Sequence, residues 1–420
     1  MNLAILAYGT RGDVQPLLSL AVALRERGHT VRFAAPENFS AVTERAGVVS
    51  CPIAMDAEAL MRSEVATEVL AKGDLYSFAK MLLQAERLGT EVVNAAVRQA
   101  TDGVELVVAG TLMGERAWTV CEAAGIPLVM AHIYPALPTA DYAYPLLPVR
   151  TLGWGWLNRW SGYAIIDAVF RAARPIYAAF RASYGLPPRK RSALRTSMEQ
   201  GVPHLLAYSP SVAPPPSDWG PNATVTGWLD VPPALRQAFG EQRTDPALAA
   251  WLDAGPPPVC FGFGSMPIRD PEKLMSWVRA ACRAHGVRAL VGAGWSRYAA
   301  PDQPEIHVAP AFDHAAVLPR CRAAVIHGGS HTTYAALRAG LPTHLCAVLG
   351  DQPLWGRRLV ALGVGSWGHF KTLDEATLVA AVGGLLRPEP AAAAAALSER
   401  LRAEDGLAAA VRVVEAAARR

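Results

Sequence analysis

At 420 residues the chain is too long for one ordinary core, so two domains are the default organisation. A hydrophobic share of 51% against 18% charged residues describes a packed globular protein and excludes a disordered one. Net charge is only +4 and the arginines are scattered, so no nucleic-acid groove is indicated.

Residues 3–8 form an apolar run of strand length, followed by Gly9-Thr10-Arg11-Gly12-Asp13 and a helical pattern with Leu17, Leu20, Ala21 and Leu24 on one face. Gly28 closes that helix, and residues 31–35 start a second strand. A β-α-β unit at the start argues for a parallel α/β domain. Arg11, Gly12 and Asp13 interrupt the first apolar run and no basic leader precedes it, which argues against a signal peptide. No run of about 18 uninterrupted apolar residues occurs, so no membrane span is expected. Cys51, Cys121, Cys260, Cys282, Cys321 and Cys346 lie far apart without a Cys-x-x-Cys, and reduced thiols in a cytoplasmic protein fit that usage.

Residues 55–99 are helical in pattern, 106–109 read as a buried strand, and 126–132 as another. Beyond them, 133–163 hold Tyr134, Tyr142, Tyr144, Trp154, Trp156, Trp160 and Tyr163 among prolines and glycines. Flat side chains on irregular backbone suit an apolar binding surface, and equally suit plugging the underside of long loops. The prolines of 209–218 make a stiff extended spacer, the best linker candidate. A second series follows, with strands expected at 259–263, 288–291, 306–309, 323–327, 343–348 and 364–367 and helices between them. The tail, 391–420, is Ala-rich, amphipathic and helical. The division is therefore 1–208, a linker at 209–224, a second domain at 225–390 and a closing helix at 391–420.

In open parallel sheets ligands sit beyond the carboxyl ends of the strands. Residues 323–342 carry the strongest such signal. A short buried strand leads to His327, Gly328 and Gly329, then to Ser330, His331, Thr332 and Thr333 at a helix start. The first amides of a helix lack intrahelical partners, and the aligned peptide dipoles place roughly half a positive charge there. Glycines let a ligand approach the backbone, so a phosphate is the natural occupant. The plain alternative is a capped helix with His327 packed in the core. A metal pair of His327 and His331 is disfavoured, because the His-Glu-x-x-His pattern is absent. Other strand ends offer Ser265 to the same cradle, Trp295 as a stacking surface for a base, and Asp351 with Gln352 for neighbouring sugar hydroxyls. In the first half, Gly9–Asp13 lacks the dinucleotide glycine fingerprint. A carboxylate there repels phosphate, but a helix N-terminus keeps it ionised, as a general base toward a hydroxyl requires. Asp13 as a helix-capping residue is compatible with that role.

These residues carry a resemblance. GTRGDVQPLLSLAVALRERGH at 9–29, VTGW at 225–228, GFGSM at 262–266, HGGSHTTYAALRAGLP and GDQPLWGRRLVALGVG within 327–365, and EDGLAAAV at 404–411 are similar to motifs of the family 1 nucleotide-sugar glycosyltransferases. The chain looks closest to their bacterial natural-product branch and the sterol glucosyltransferases. The resemblance implies the GT-B fold, two Rossmann-like doubly wound parallel-sheet domains facing across a cleft, with the last helix crossing back to the first domain. It implies an inverting, metal-independent transfer of a hexose from a UDP- or dTDP-sugar, with no other cofactor, and the aromatic segment at 133–163 suggests a lipophilic or aromatic small-molecule acceptor. On it, Asp13 deprotonates the acceptor with Thr10 in support. His327 touches the diphosphate with Ser265, Gly328, Gly329, Ser330 and Thr332, Trp295 stacks on the base, and Asp351 with Gln352 holds the sugar. His132, Tyr134, Tyr142 and Trp154 are the acceptor-side candidates. His331 departs from the pattern, which has a small residue there, and bears on donor preference. A monomer or homodimer is expected. The alternatives are a nucleotide-sugar epimerase on the same fold and a non-catalytic nucleotide-sugar-binding partner of another transferase.

Overall fold

The computed structural model describes residues 1–73, 75–147, 149–239, 245–264, 268–294, 296, 298 and 303–419. Seven parallel strands build the first sheet: β1 (Asn2–Leu6), β2 (Thr30–Pro36), β3 (Val49–Ile53), β4 (Leu106–Gly110), β5 (Leu128–His132), β6 (His204–Leu206) and β7 (Ala223–Val225). Their order is β3-β2-β1-β4-β5-β6-β7. Successive side chains on a strand point to opposite faces. Leu3 and Ile5 accordingly enter one core with Val14, Leu17 and Leu18 of the Arg11–Glu26 helix. Ala4 and Leu6 enter another with Val93 and Val97 of the Leu75–Thr101 helix.

The second sheet has six parallel strands: β8 (Val259–Gly262), β9 (Ala289–Gly292), β10 (Ile306–Ala309), β11 (Ala323–Ile326), β12 (Thr343–Ala347) and β13 (Gly365–His369), in the order β10-β9-β8-β11-β12-β13. Val259 and Phe261 face a core with Leu274 and Val278, while Cys260 faces Leu290 and Ala336 on the other side. In each sheet the strand order reverses beside one strand: β1 lies between β2 and β4, and β8 between β9 and β11. Those reversals open a crevice at the carboxyl ends of the two strands, where the following loops diverge.

The chain divides into two compact units, Met1–Ala57 with Ala79–Phe239 and Glu404–Arg420, and Glu58–Phe78 with Gly240–Ala403. The Pro-rich stretch expected as a linker at 209–224 lies inside the first unit. The strand expected to open the second domain is instead β7, paired with β6 at Leu206↔Val225 in the first sheet. The tail is two helices, Pro388–Ala403 and Gly406–Ala417. The second places Ala410, Val411, Val414 and Ala417 in the core of the first unit beside Leu17 and Leu205.

A further expectation is corrected. Residues 155–163, read as irregular, begin a long helix, Gly155–Ala182. Its inward face opens with Asn158, Ser161 and Gly162 and turns apolar only at Ile166, Phe170 and Ala173. Small and polar residues at the buried positions hide the helical period from hydrophobicity. All six cysteines are buried and free, and among the described residues no helix is long and apolar enough to cross a membrane.

Candidate active site

In the second unit, β8 and β11 pair directly at the reversal, with Ile326 opposite Gly262, so the loops that follow them emerge side by side. Gly264 (φ +54°) lies in one loop and Gly328 (φ +88°) in the other, both in the left-handed region where a Cβ is disfavoured. The imidazole of His327 fills the space between Gly264 and Gly329. A Cβ on Gly264 would come within 2.7 Å of its Cε1, and one on Gly329 within 2.6 Å of its Nε2. Nδ1 of His327 faces the carbonyl oxygen of Gly262 at 3.5 Å. Burial pushes this imidazole down to about 4, partly countered by that carbonyl, so at neutral pH it is an uncharged hydrogen-bonding group.

The helix Ser330–Arg338 starts directly behind it. Thr333 donates its amide to the carbonyl of Gly329 at 3.0 Å, the first bond of the helical ladder, so the amides of Ser330, His331 and Thr332 form the opening turn. Ser330 is buried and donates its hydroxyl to Asp351 Oδ2 at 2.8 Å. Trp355, fully buried, donates Nε1 to the same oxygen at 2.6 Å and to Ser330 Oγ at 3.1 Å. Burial raises the Asp351 carboxyl while these two donors lower it, and burial prevails. Gln352 is turned inward, its Oε1 accepting from the amides of Val348 and Leu349 at 2.6 and 3.2 Å. It therefore holds the turn after β12 by its carbonyl oxygen.

His331 and Thr332 are half-buried on the first turn, and the His331 ring lies 6.4 Å from that of His314. Ser265 and Trp295 lie outside the described residues. The loops after β8, β11 and β12 thus bring together Gly264, His327, Gly328, Gly329, Ser330 and Asp351. Trp355 is the residue that sequence reasoning missed; its signal was a tryptophan one helical turn after Asp351.

In the first unit, the loop after β1 ends at Thr10, the N-cap of the Arg11–Glu26 helix. Asp13 is the third residue of that helix, and its Oδ2 accepts from the amide and the hydroxyl of Thr10 at 2.9 and 3.2 Å. Gly9 makes room for this carboxylate, since a Cβ there would lie 2.4 Å from Oδ2. Asp13 is thus a capping-box member that keeps part of its surface open.

Of the acceptor-side candidates, His132 is placed differently from expectation. It is 1% exposed, and both ring nitrogens are used, Nδ1 with Thr111 Oγ1 at 3.0 Å and Nε2 with His204 Nδ1 at 3.2 Å. His204 continues the chain to Ser197 Oγ at 3.1 Å. Burial and the His204 neighbour hold His132 well below the usual imidazole range. Tyr134 and Tyr142 are half-buried, whereas Trp154 is 65% exposed and stacks on Trp156 with centroids 6.1 Å apart.

The chain matches the glycosyltransferase family 28 N-terminal domain over residues 3–140 and the erythromycin biosynthesis protein CIII-like C-terminal domain over residues 301–413. It is 30% identical over 408 residues to an uncharacterized glycosyltransferase of Mycobacterium tuberculosis, covering 96% of this chain and 95% of that one. A sterol 3-beta-glucosyltransferase of Arabidopsis thaliana is 30% identical over 421 residues, 98% of this chain and 67% of its own length. Among solved structures, the glycotransferase of kitacinnamycin superposes with a TM-score of 0.70 at 18% identity, covering 99% and 98% of the two chains. The glycosyltransferase VinC in complex with DTDP does so with a TM-score of 0.64 at 17% identity, covering both chains entirely (100% each).

Proposed function

The chain belongs to the GT-B nucleotide-sugar glycosyltransferases, in the branch of natural-product and sterol enzymes, and from that premise we propose that it moves a hexose from a UDP- or dTDP-sugar to a hydroxyl of a lipophilic or aromatic small molecule. The transfer is a single in-line displacement that inverts the anomeric centre and needs no metal. The acceptor oxygen bonds to the anomeric carbon as the bond to the diphosphate breaks. The diphosphate leaves with the electron pair, and the acceptor proton passes to Asp13 and then to water.

The observation that carries this reading is the cradle around His327. The glycine-walled imidazole and the opening turn of the Ser330–Arg338 helix supply donors and a positive dipole where a leaving diphosphate gains charge, the logic of an oxyanion hole. His327, neutral through burial, contributes a hydrogen bond rather than a cation. Ser265, Gly328, Gly329 and Thr332 complete the phosphate contacts, with His331 at the rim. Trp295 stacks on the base. Asp351 faces the sugar hydroxyls, steadied by Ser330 and Trp355, and Gln352 offers its amide nitrogen. Asp13 is the base, held by Thr10, while Tyr134 and Tyr142 line the acceptor side. Support for a nucleotide diphosphate comes from structural neighbours solved with thymidine diphosphate and DTDP; support for a lipophilic acceptor comes from the sterol glucosyltransferase relatives.

The test is incubation of the purified chain with UDP- and dTDP-hexoses and a panel of sterol and aromatic alcohols, with products read by mass spectrometry. A hexosylated acceptor of inverted anomeric configuration is the expected result. Conversion of the donor to an isomeric nucleotide sugar without acceptor, or donor binding with no turnover on any acceptor, would overturn it.

A further inference from the structure

The first unit carries an exposed aromatic cluster that neither core uses. Trp154, Trp156 and Trp160 are 65%, 66% and 60% exposed. Trp154 stacks on Trp156, and Trp160 follows one turn later in the Gly155–Ala182 helix. At up to about 250 Å² per indole side chain, the three present on the order of 450 Å² of apolar surface, the size at which patches serve binding. The same helix continues the face with cations. At 100° per residue, Trp156, Trp160, Arg171 and Arg174 fall within about 60° of one another. Arg171 and Arg174 are exposed, as is Arg150 just before the cluster.

The charges around this face are lopsided. From 149 to 175 the chain has Arg150, Arg159, Arg171 and Arg174 against a single acid, Asp167. Asp167 is met by Arg195 at 2.7 Å, and Arg159 is met by Asp218 at 2.6 Å. Arg150, Arg171 and Arg174 remain as the outward charge. A small molecule needs a concave site that encloses it, and indoles standing out on the convex side of a helix do not provide one. A second copy docked face to face would set these arginines against their equivalents, which opposes association. Indoles that sit at headgroup level and arginines that reach anionic headgroups match the surface of a bilayer.

We propose that the Trp154–Trp156–Trp160 cluster and the Arg171/Arg174 end of the same helix dock the protein, lying flat, on anionic lipid bilayers. This does not depend on which acceptor the enzyme uses. No helix among the described residues can cross a membrane, so the attachment is peripheral and reversible.

The experiment is sedimentation of the full chain with phosphatidylcholine vesicles, with and without phosphatidylglycerol. Binding to the anionic vesicles that weakens with salt is expected, together with quenching of tryptophan fluorescence by brominated phosphatidylcholine in those vesicles. Trp156→Ala/Trp160→Ala should weaken binding by about tenfold. Arg171→Glu/Arg174→Glu should lower the preference for anionic lipid by roughly fivefold or more per site. Wild-type protein that neither sediments nor is quenched overturns the proposal. So does binding that the tryptophan substitutions leave unchanged in protein of unaltered melting temperature. Self-association in light scattering that the same substitutions abolish, with no vesicle binding, would assign the face to a second copy instead.

Discussion

One oxygen of Asp13, Oδ2, takes both the amide and the hydroxyl of Thr10, at 2.9 and 3.2 Å. In the proposed reaction the residue that closes this capping box is also the base. Asp13→Asn keeps an acceptor for the Thr10 amide and preserves the cap, but removes the base. Turnover should fall by about a hundredfold or more with the melting temperature nearly unchanged. Thr10→Val removes only the hydroxyl donor and should cost about tenfold, mostly in kcat. Unimpaired Asp13→Asn would take that residue out of the reaction.

Gly329→Ala tests the cradle by crowding alone, because the backbone at Gly329 suits any residue while the new Cβ would meet His327 Nε2 at 2.6 Å. The imidazole must shift, and donor KM should rise by about tenfold or more while acceptor KM stays put. Steady-state kinetics with each substrate varied in turn separates these. An equal rise in both would point to general damage.

Trp355→Phe keeps most of the buried volume and removes the indole N–H that Asp351 Oδ2 and Ser330 Oγ share. Nucleotide sugar should bind several-fold more weakly, and free nucleotide diphosphate as before, since the loss falls on the sugar end. Isothermal titration with both ligands measures the contrast. About 1–2 kcal/mol of stability should go with it, the cost of a lost hydrogen bond to a buried carboxylate.

Four histidines are held neutral by burial. His204, His327 and His344 are pushed down to about 4, and His132 well below its usual value. In the unfolded chain each protonates near the ordinary 6.5, so between about pH 6.5 and 4 the unfolded state binds more protons and stability falls with pH. Glu115, raised to about 7 by burial, and Asp351, also raised, act oppositely over part of that window. The histidines outnumber them, and the melting temperature should drop from pH 7 to pH 5. A flat profile would mean that these rings gain protons without unfolding.

Arg116 is 1% exposed and gives Nε to Asn94 at 2.8 Å, Nη2 to Thr90 at 3.0 Å and Nη1 to Glu86. Arg116→Ala strands the Glu86 carboxylate and should cost about 3–5 kcal/mol in a denaturant titration. Arg116→Ala with Glu86→Leu should recover part of that loss.

The sheets were legible because parallel strands buried on both faces read as unbroken apolar runs, as 106–109 and 323–326 do. The cradle was legible because its glycines, His327 and Ser330 are contiguous. What escaped depended on distant partners. β6 and β7 have three residues each, too short to show a pattern, and so the boundary moved. His132 looked like a strand-end ligand until His204, far along the chain, claimed its second nitrogen. The Gly155–Ala182 helix hid behind its own glycines and tryptophans.

Ala410, Val411, Val414 and Ala417 finish a core that Leu3 and Leu17 begin. Residues 3–17 are therefore made well before their core partners at 410–417. At roughly 5–20 residues per second, the interval spent synthesising Gly240–Ala403 leaves the opening sheet without its last helix for about ten to thirty seconds. During that interval an apolar groove stays open to chaperones. For the same reason a charged substitution at Val411 or Val414 should disturb the first unit before the second.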